Sequence, residues 1–273
     1  MERPAWAPQG IDLTVPSVSR MYDYYLGGSH NFEVDREAGR RAIEAWPSLP
    51  KTVQANRAFM RRAIEFAAAE GLTQFLDIGS GIPTFGSAHE VAQAAAPEAR
   101  VIYVDYDPVA VAHSRAVLDG NDRADVVSAD LRSPQDVLES PEVEQLLDLE
   151  RPVALLLVAV LHYVEDKDDP WQLVARLRDA LAPGSLLVLS HGSGDSSTEQ
   201  EAGESVRDVY RSTSTPLIMR PRSEIEPFFA GWELVEPGLV PLQRWRPEED
   251  PGAHDPVLPC GYAGVGRKAG RAG

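Results

Sequence analysis

A single cysteine, Cys260, occurs among the 273 residues of the chain. One thiol excludes an internal disulfide and is too few for a metal centre built from cysteines, so neither redox chemistry nor a bound metal is expected. Long apolar stretches are also missing. The longest strongly apolar run, VALLLVAVL at 153–161, falls well short of the roughly 20 residues that span a bilayer and suits a strand buried on both faces. The start, MERPAWAPQG, has no basic stretch followed by an apolar one, so no secretion leader is expected and the expected location is cytoplasmic. Positive charge is scarce. With 26 Lys and Arg against 42 Asp and Glu the formal net charge is −16, which opposes the phosphate neutralisation behind most nucleic-acid binding. Neither nucleic acid nor membrane is an expected partner. An acidic cleft would favour a cationic ligand, although surface charge of this kind ordinarily serves solubility alone.

What is present reads as a globular protein, with 43% hydrophobic residues in a length that suits one large α/β domain with an appendage. Residues 1–16 hold three prolines and no apolar period, and read as an extended arm. Val18, Met21, Tyr22 and Tyr25 then follow the spacing of one helix face, with Gly27-Gly28 as the stop. Further helices are expected over 34–46, ended by Pro47, and over 52–70, with Gly71 as the cap. Residues 1–70 therefore form an arm and a helical cap.

From there the texture changes. QFLDIGSG (74–81), RVIYVDYD (100–107), ADVVSAD (124–130), PVALLLVAVLHY (152–163) and GSLLVLSH (184–191) read as strands, separated by helical stretches at 87–96, 108–118, 143–149 and 169–181. Strict alternation predicts an α/β fold with a doubly wound, mostly parallel sheet. Beyond it lie helix candidates at 196–212 and 223–229. WELV (232–235) and YAGVGRK (262–268) pair as a hairpin on the sheet edge, giving seven strands in all. The Pro-rich connection 237–259 carries no assignable element.

Ligands of such sheets bind at the carboxyl ends of the strands. In LDIGSGIPT, Gly79 and Gly81 let the backbone approach a ligand, and Asp77 suits an ammonium or sulfonium group. A dinucleotide fingerprint would require glycine at position 84, where Thr84 stands, and Asp77 would repel a pyrophosphate. In VDYDP, Asp105 is placed to accept ribose hydroxyls, while Asp107, before Pro108, reads as a helix cap. In SADL, Asp130 either accepts from an adenine amine, with Leu131 over the ring, or caps the helix that follows.

The series FLDIGSG, YVDYDP, SADL, LLLVAVLHYVED and LAPGSLLVLSH resembles the successive motifs of the Rossmann-like, class I methyltransferases. PSVSRMYDYYLGGSHNFEVDREA, NRAFMRRA and QFLDIGSGIPT further resemble one largely actinomycete family, the S-adenosyl methyltransferases, over essentially the whole chain. The resemblance implies S-adenosyl-L-methionine as cofactor and S-adenosyl-L-homocysteine as product, bound by a domain over 71–273. It places Asp77, Gly79, Ser80 and Gly81 at the methionine half, Asp105 with neighbouring Tyr106 at the ribose, and Asp130 with Leu131 at the adenine. The acceptor it implies is a small molecule, unidentified. A noncatalytic module that senses the same cofactor would use the same strand ends, and a nicotinamide-dependent oxidoreductase is the further alternative.

His162 and Tyr163 end the fourth strand beside the expected methyl position. His162 is the candidate base, by its ordinary pKa, unless it only shapes the wall. His191 lies on the same rim. Arg20, Arg57 and Arg62 sit in the cap, where one can hold the cofactor carboxylate or all can make surface pairs. The stretch MYDYYLGGSHNF (21–32) is expected to lie over the site. There Tyr22, Tyr24, Tyr25, Asn31 and Phe32 are candidates for acceptor contact, with Gly27-Gly28 as the hinge of a lid or the corner of a fixed cap.

Overall fold

The computed structural model of the protein describes residues 8, 11–84, 86–195, 197–213, 215–248 and 261–270; Cys260 and residues 249–259 of the Pro-rich connection lie outside them. Three helices come first, α1 (Val18–Tyr25), α2 (Glu33–Ala45) and α3 (Leu49–Ala69). The third begins three residues earlier than its periodicity predicts, because Pro50 fits a first helical turn that needs no N–H donor. Strands β1 (Gln74–Ile78), β2 (Arg100–Asp105), β3 (Ala124–Ser128), β4 (Ala154–Val158) and β5 (Leu186–Gly192) then alternate with α4 (Ala88–Ala95), α5 (Pro108–Val117), α6 (Pro134–Leu138), α7 (Pro141–Leu146) and α8 (Pro170–Ala180). After these come α9 (Ser197–Tyr210), α10 (Arg222–Ile225), β6 (Trp232–Leu234), β7 (Val240–Pro241) and β8 (Gly261–Lys268). The short α6, β7 and the exact strand ends were not legible in the sequence.

The strand order is β3-β2-β1-β4-β5-β8-β6, with β7 pairing to β8 off this path. The first five strands are parallel, whereas β8 runs antiparallel to both β5 and β6. The expected terminal hairpin therefore exists, with β8 inside the sheet and β6 at its edge. β1 to β4 and β6 all stop short of the predicted bounds. β1 ends where Gly79 takes φ +74, and β4 ends where Ala159 takes φ 55, so the LHY triplet (161–163) forms a 3-10 turn beyond the strand.

Neighbouring residues of each strand enter opposite clusters, as the period of a pleated strand requires. Phe75, Leu156 and Val188 join a core shared with Met21, Phe59 and Ile64 of the cap, and Leu76, Leu155 and Leu187 join one shared with Leu173 and Leu177 of α8. Both faces are thus covered, which explains the near-continuous apolar runs. Ile11 and Leu13 of the arm pack on Phe32, Ile82 and Val109. Buried Asp35 accepts from the Ser17 backbone N–H at 2.9 Å, from Arg20 Nε at 3.1 Å and from the Phe32 N–H at 2.8 Å, tying the arm, α1 and α2 together. Among the described residues no helix is long and apolar enough to cross a membrane.

The connection beyond β6 is held to α3. Arg62 donates to the carbonyls of Trp245 and Leu242 at 2.9 and 3.0 Å, and the fully buried Trp245 ring meets Phe59 and Phe66 edge-on at 5.4 and 5.8 Å. Trp245→Ala should therefore cost about 3–5 kcal/mol of stability, read by urea denaturation. A loss below about 1 kcal/mol would show that this anchor is dispensable.

Candidate functional site

β1 and β4 are neighbours from which the chain winds outward in opposite directions, and a cavity of about 930 Å³, its open mouth included, lies beyond their carboxyl ends. Asp77, Gly79, Ser80, Gly81, Asp105, Tyr106, Asp130 and Leu131 all line it, together with Arg57, Ala159 and Thr215. The first loop has little freedom. The Gly79 N–H donates to Val104 O at 2.8 Å, and a Cβ on this residue would lie 2.2 Å from Val160 Cγ2, so only glycine keeps the wall where it is.

Asp105 is fixed by backbone. Gly81 N–H donates to Oδ2 at 2.7 Å and Asp107 N–H to Oδ1 at 2.8 Å, which leaves further lone pairs on the carboxylate. Asp107 caps α5 through the Val109 N–H, the role its sequence context favoured. Burial lifts the Asp105 carboxyl to about 6. It lifts Asp77 to about 7, with Arg57 opposing and Asp105 adding to the rise. Asp77 makes no side-chain hydrogen bond among the described residues. Asp130 differs, since its hydrogen bonds from Arg132 outweigh burial and hold it below the usual range. The Tyr106 hydroxyl meets Thr215 Oγ1 at 2.8 Å, so the two close one side of the cavity.

Only one of the three cap arginines reaches this space. Arg20 is paired with Asp35 and Arg62 is spent on backbone carbonyls, whereas Arg57 lines the cavity and makes no ion pair among the described residues. Its buried Nε has no hydrogen-bond partner, and its guanidinium lies 5.5 Å from the Tyr22 ring centroid.

A second cavity of about 630 Å³, again counting its mouth, adjoins the first. Tyr22, Asn56, Ala159 and Tyr163 line both. Three of them, Tyr22, Asn56 and Ala159, are locked by one chain of hydrogen bonds. Ala159 N–H donates to Ser190 Oγ at 3.0 Å, Ser190 Oγ to Asn56 Oδ1 at 2.6 Å, and Asn56 Nδ2 to the Tyr22 hydroxyl at 2.9 Å. Sequence reasoning missed Asn56 and Ser190, and nothing in a single sequence marks a left-handed alanine such as Ala159.

Of the residues expected to meet an acceptor, Tyr22, Tyr25, Tyr163, His162 and His191 surround the second cavity. Tyr24, Asn31 and Phe32 do not line either one. Tyr24 packs on α2, where a Cβ on Gly39 would come within 2.6 Å of its ring; Phe32 lies in the arm cluster; and Asn31 donates to Asp23 and to Gly28 O at 2.7 and 3.0 Å. The corner after α1 is built around Asp23, which also accepts from the His30 N–H at 2.9 Å.

His162 is buried at the wall of this cavity, and burial together with the Arg220 charge pushes its imidazole down to about 3. Its Nδ1 accepts the Gly192 N–H at 3.1 Å. A ring so placed is neutral at neutral pH and is a poor proton acceptor, unlike the freely titrating histidine that its sequence position suggested.

Residues 4–269 match the sequence profile of the family described as S-adenosyl methyltransferase. A protein of Thermobifida fusca, provisionally named a methyltransferase, is 39% identical with a TM-score of 0.89, over 97% of this chain and 100% of that one. A DUF574 family protein of Streptomyces avermitilis is 41% identical, also with a TM-score of 0.89, over 94% of this chain and 99% of that one. An O-methyltransferase family protein of Burkholderia thailandensis, 11% identical with a TM-score of 0.51 over 91% of this chain and 64% of that one, shares the fold. No curated protein matches.

The raised carboxyl of Asp77 sets a pH dependence of stability. Its folded value, about 7, exceeds the unfolded value near 3.8, so the folded state binds the extra proton between them and stability falls as pH rises through that window. Asp77→Asn should flatten the fall and raise the melting temperature of the ligand-free protein at pH 8, by about 2–4 °C per kcal/mol relieved. Unchanged melting curves from pH 5 to 8 would show that the buried carboxyl carries no such cost.

Proposed function

The chain belongs to the S-adenosyl methyltransferase family, and on that premise we propose that it methylates a small-molecule acceptor, with S-adenosyl-L-methionine held in the first cavity. When bound, the cofactor supplies an electrophilic sulfonium methyl, whose former bonding pair stays on sulfur as the acceptor lone pair takes the carbon. The observation that carries the reading is the pair formed by Arg57 and Asp77. Among the described residues, one cavity holds a half-buried guanidinium without an ion pair, its buried Nε unpartnered, and a buried carboxyl without a hydrogen bond. An amino-acid group, carboxylate and ammonium together, answers both.

The remaining residues divide the molecule between them. Gly79 and Gly81 bring backbone close to the methionine half, with Ser80 between them. Asp105 has lone pairs left for the ribose hydroxyls, and Tyr106 stands over that end. Asp130 and Leu131 offer an acceptor and an apolar cover for the adenine. Residues up to 70 act as the cap of the site, and 71–273 as the cofactor-binding unit.

His162 does not serve as the base in this scheme, because its neutral ring already accepts a hydrogen bond. The protein's contribution is alignment. The four shared residues would hold an acceptor beside the cofactor site, and orientation of this kind can supply most of the acceleration without a dedicated base.

Calorimetry with S-adenosylhomocysteine tests the reading. We expect one site per chain and a loss of about 10–100-fold in affinity for Arg57→Ala, the worth of hydrogen bonds to a charged group. Asp105→Ala should weaken binding by about tenfold or more for the same reason. Wild-type affinity in both variants would refute the placement.

A further inference from the structure

The second cavity differs from the first in one physical respect: among the described residues, no Asp, Glu, Lys or Arg side chain lines it. Its titratable groups are all held neutral. Burial lowers His162 to about 3 and His191 well below its ordinary value, and raises Tyr22, Tyr163 and Tyr210 as well as Tyr25. The tautomers are fixed as well. Arg220 donates to His191 Nε2 at 3.1 Å, so His191 Nδ1 carries the proton it gives to Gly192 O at 2.7 Å; Gly192 N–H in turn occupies His162 Nδ1. Behind these rings Arg220 is itself paired with Asp166 at 2.5 Å.

The walls present flat apolar surface. The Tyr163 and Tyr210 rings lie nearly parallel, 6.0 Å apart and 23° between planes, and Trp46, Leu49, Val206 and Met219 add hydrocarbon. Polar atoms are few. The Tyr25 and Tyr210 hydroxyls bond each other at 3.1 Å, the Asn56 amide donates to the Tyr22 hydroxyl at 2.9 Å, and Tyr163, Thr52 and Ser190 add one hydroxyl each. A charged acceptor would be stripped of water here with no counter-ion, whereas an aromatic one would gain ring contacts and bury its apolar surface.

We propose that this chamber is the acceptor subsite and that it selects an uncharged, predominantly apolar, ring-bearing compound. The proposal rests on the first cavity being the cofactor site, since that alone makes the shared wall of Tyr22, Asn56, Ala159 and Tyr163 the place of transfer. Cationic amines, carboxylates and phosphate esters are excluded as the part of the acceptor that enters the chamber.

The test compares three probes of one shape on the full-length protein, with and without saturating S-adenosylhomocysteine: 2-naphthol, 2-naphthoate and 2-naphthylmethylammonium. Calorimetry should show 2-naphthol binding at least about tenfold tighter than either charged analogue, a difference of about 1.4 kcal/mol. Val206→Phe fills the chamber from α9 without reaching the first cavity. It should weaken 2-naphthol by at least about tenfold and keep S-adenosylhomocysteine affinity within about twofold, as expected of sites with separate contacts. Should that variant lose its cooperative thermal melt, Leu217→Trp, which also lines only the second chamber, takes its place. Equal or tighter binding of a charged probe, no saturation by 2-naphthol up to millimolar concentration, or insensitivity to the chamber-filling substitution overturns the proposal. Loss of S-adenosylhomocysteine binding, with selectivity for 2-naphthol intact, would instead overturn the cofactor placement and with it the chamber's role as acceptor subsite, leaving only its preference for an uncharged ring.

Discussion

Asn56 joins the helical cap to the sheet through two hydrogen bonds, accepting from Ser190 on β5 and donating to Tyr22 on α1. The first is buried and the second half-buried, and an amide has one acceptor and one donor end, so the network fixes which way the side chain points. Ser190 in turn receives the N–H of Ala159, the residue whose left-handed backbone turns the chain away from β4. A helix of the cap, a helix of the amino terminus and two strand ends are therefore set by a single chain of contacts. That chain also forms the wall common to the two cavities. Breaking it would move the boundary on which any alignment between them depends.

The two cavities owe their different character to where charge was left. In the first, Asp77 and Asp105 are buried near each other and answered by Arg57, an arrangement that costs stability in the free protein and favours a ligand bearing complementary charge. In the second, burial has the opposite outcome, and every titratable side chain is held in its neutral form. An electrophilic sulfonium in the one and an uncharged ring in the other would each meet the surroundings that stabilise it.

The aromatic stretch near the amino terminus divides along its helical period. Tyr22 and Tyr25 share a face with Val18 and Met21 and reach the second cavity, while Tyr24, about a third of a turn away, packs on α2 beside Gly39. Asn31 and Phe32 follow the Gly27-Gly28 corner and serve the cap itself. Asn31 donates to Asp23 Oδ2 beside the His30 N–H, and Phe32 covers Ile82 and Val109. The corner is thus built as a packed turn in which Asp23 collects several donors.

Much of this was written in the order of residues. Alternation of apolar runs with helical spacing is a local property, so the parallel sheet, the three cap helices and the acidic and glycine residues at the strand ends could be read directly. The strand-end position of those residues alone put Asp77, Gly79, Asp105 and Asp130 at one rim, because parallel strands share a direction. Which arginine faces the cavity, how deeply His162 is enclosed, and that Asn56 and Ser190 meet are decided by contacts between residues far apart in the chain, the last pair 134 positions apart. Burial and pairing set charge state, and neither is a property of a residue type or its neighbours in sequence. For that reason the chain announced a polar ligand site, whereas only the folded protein created the neutral chamber beside it.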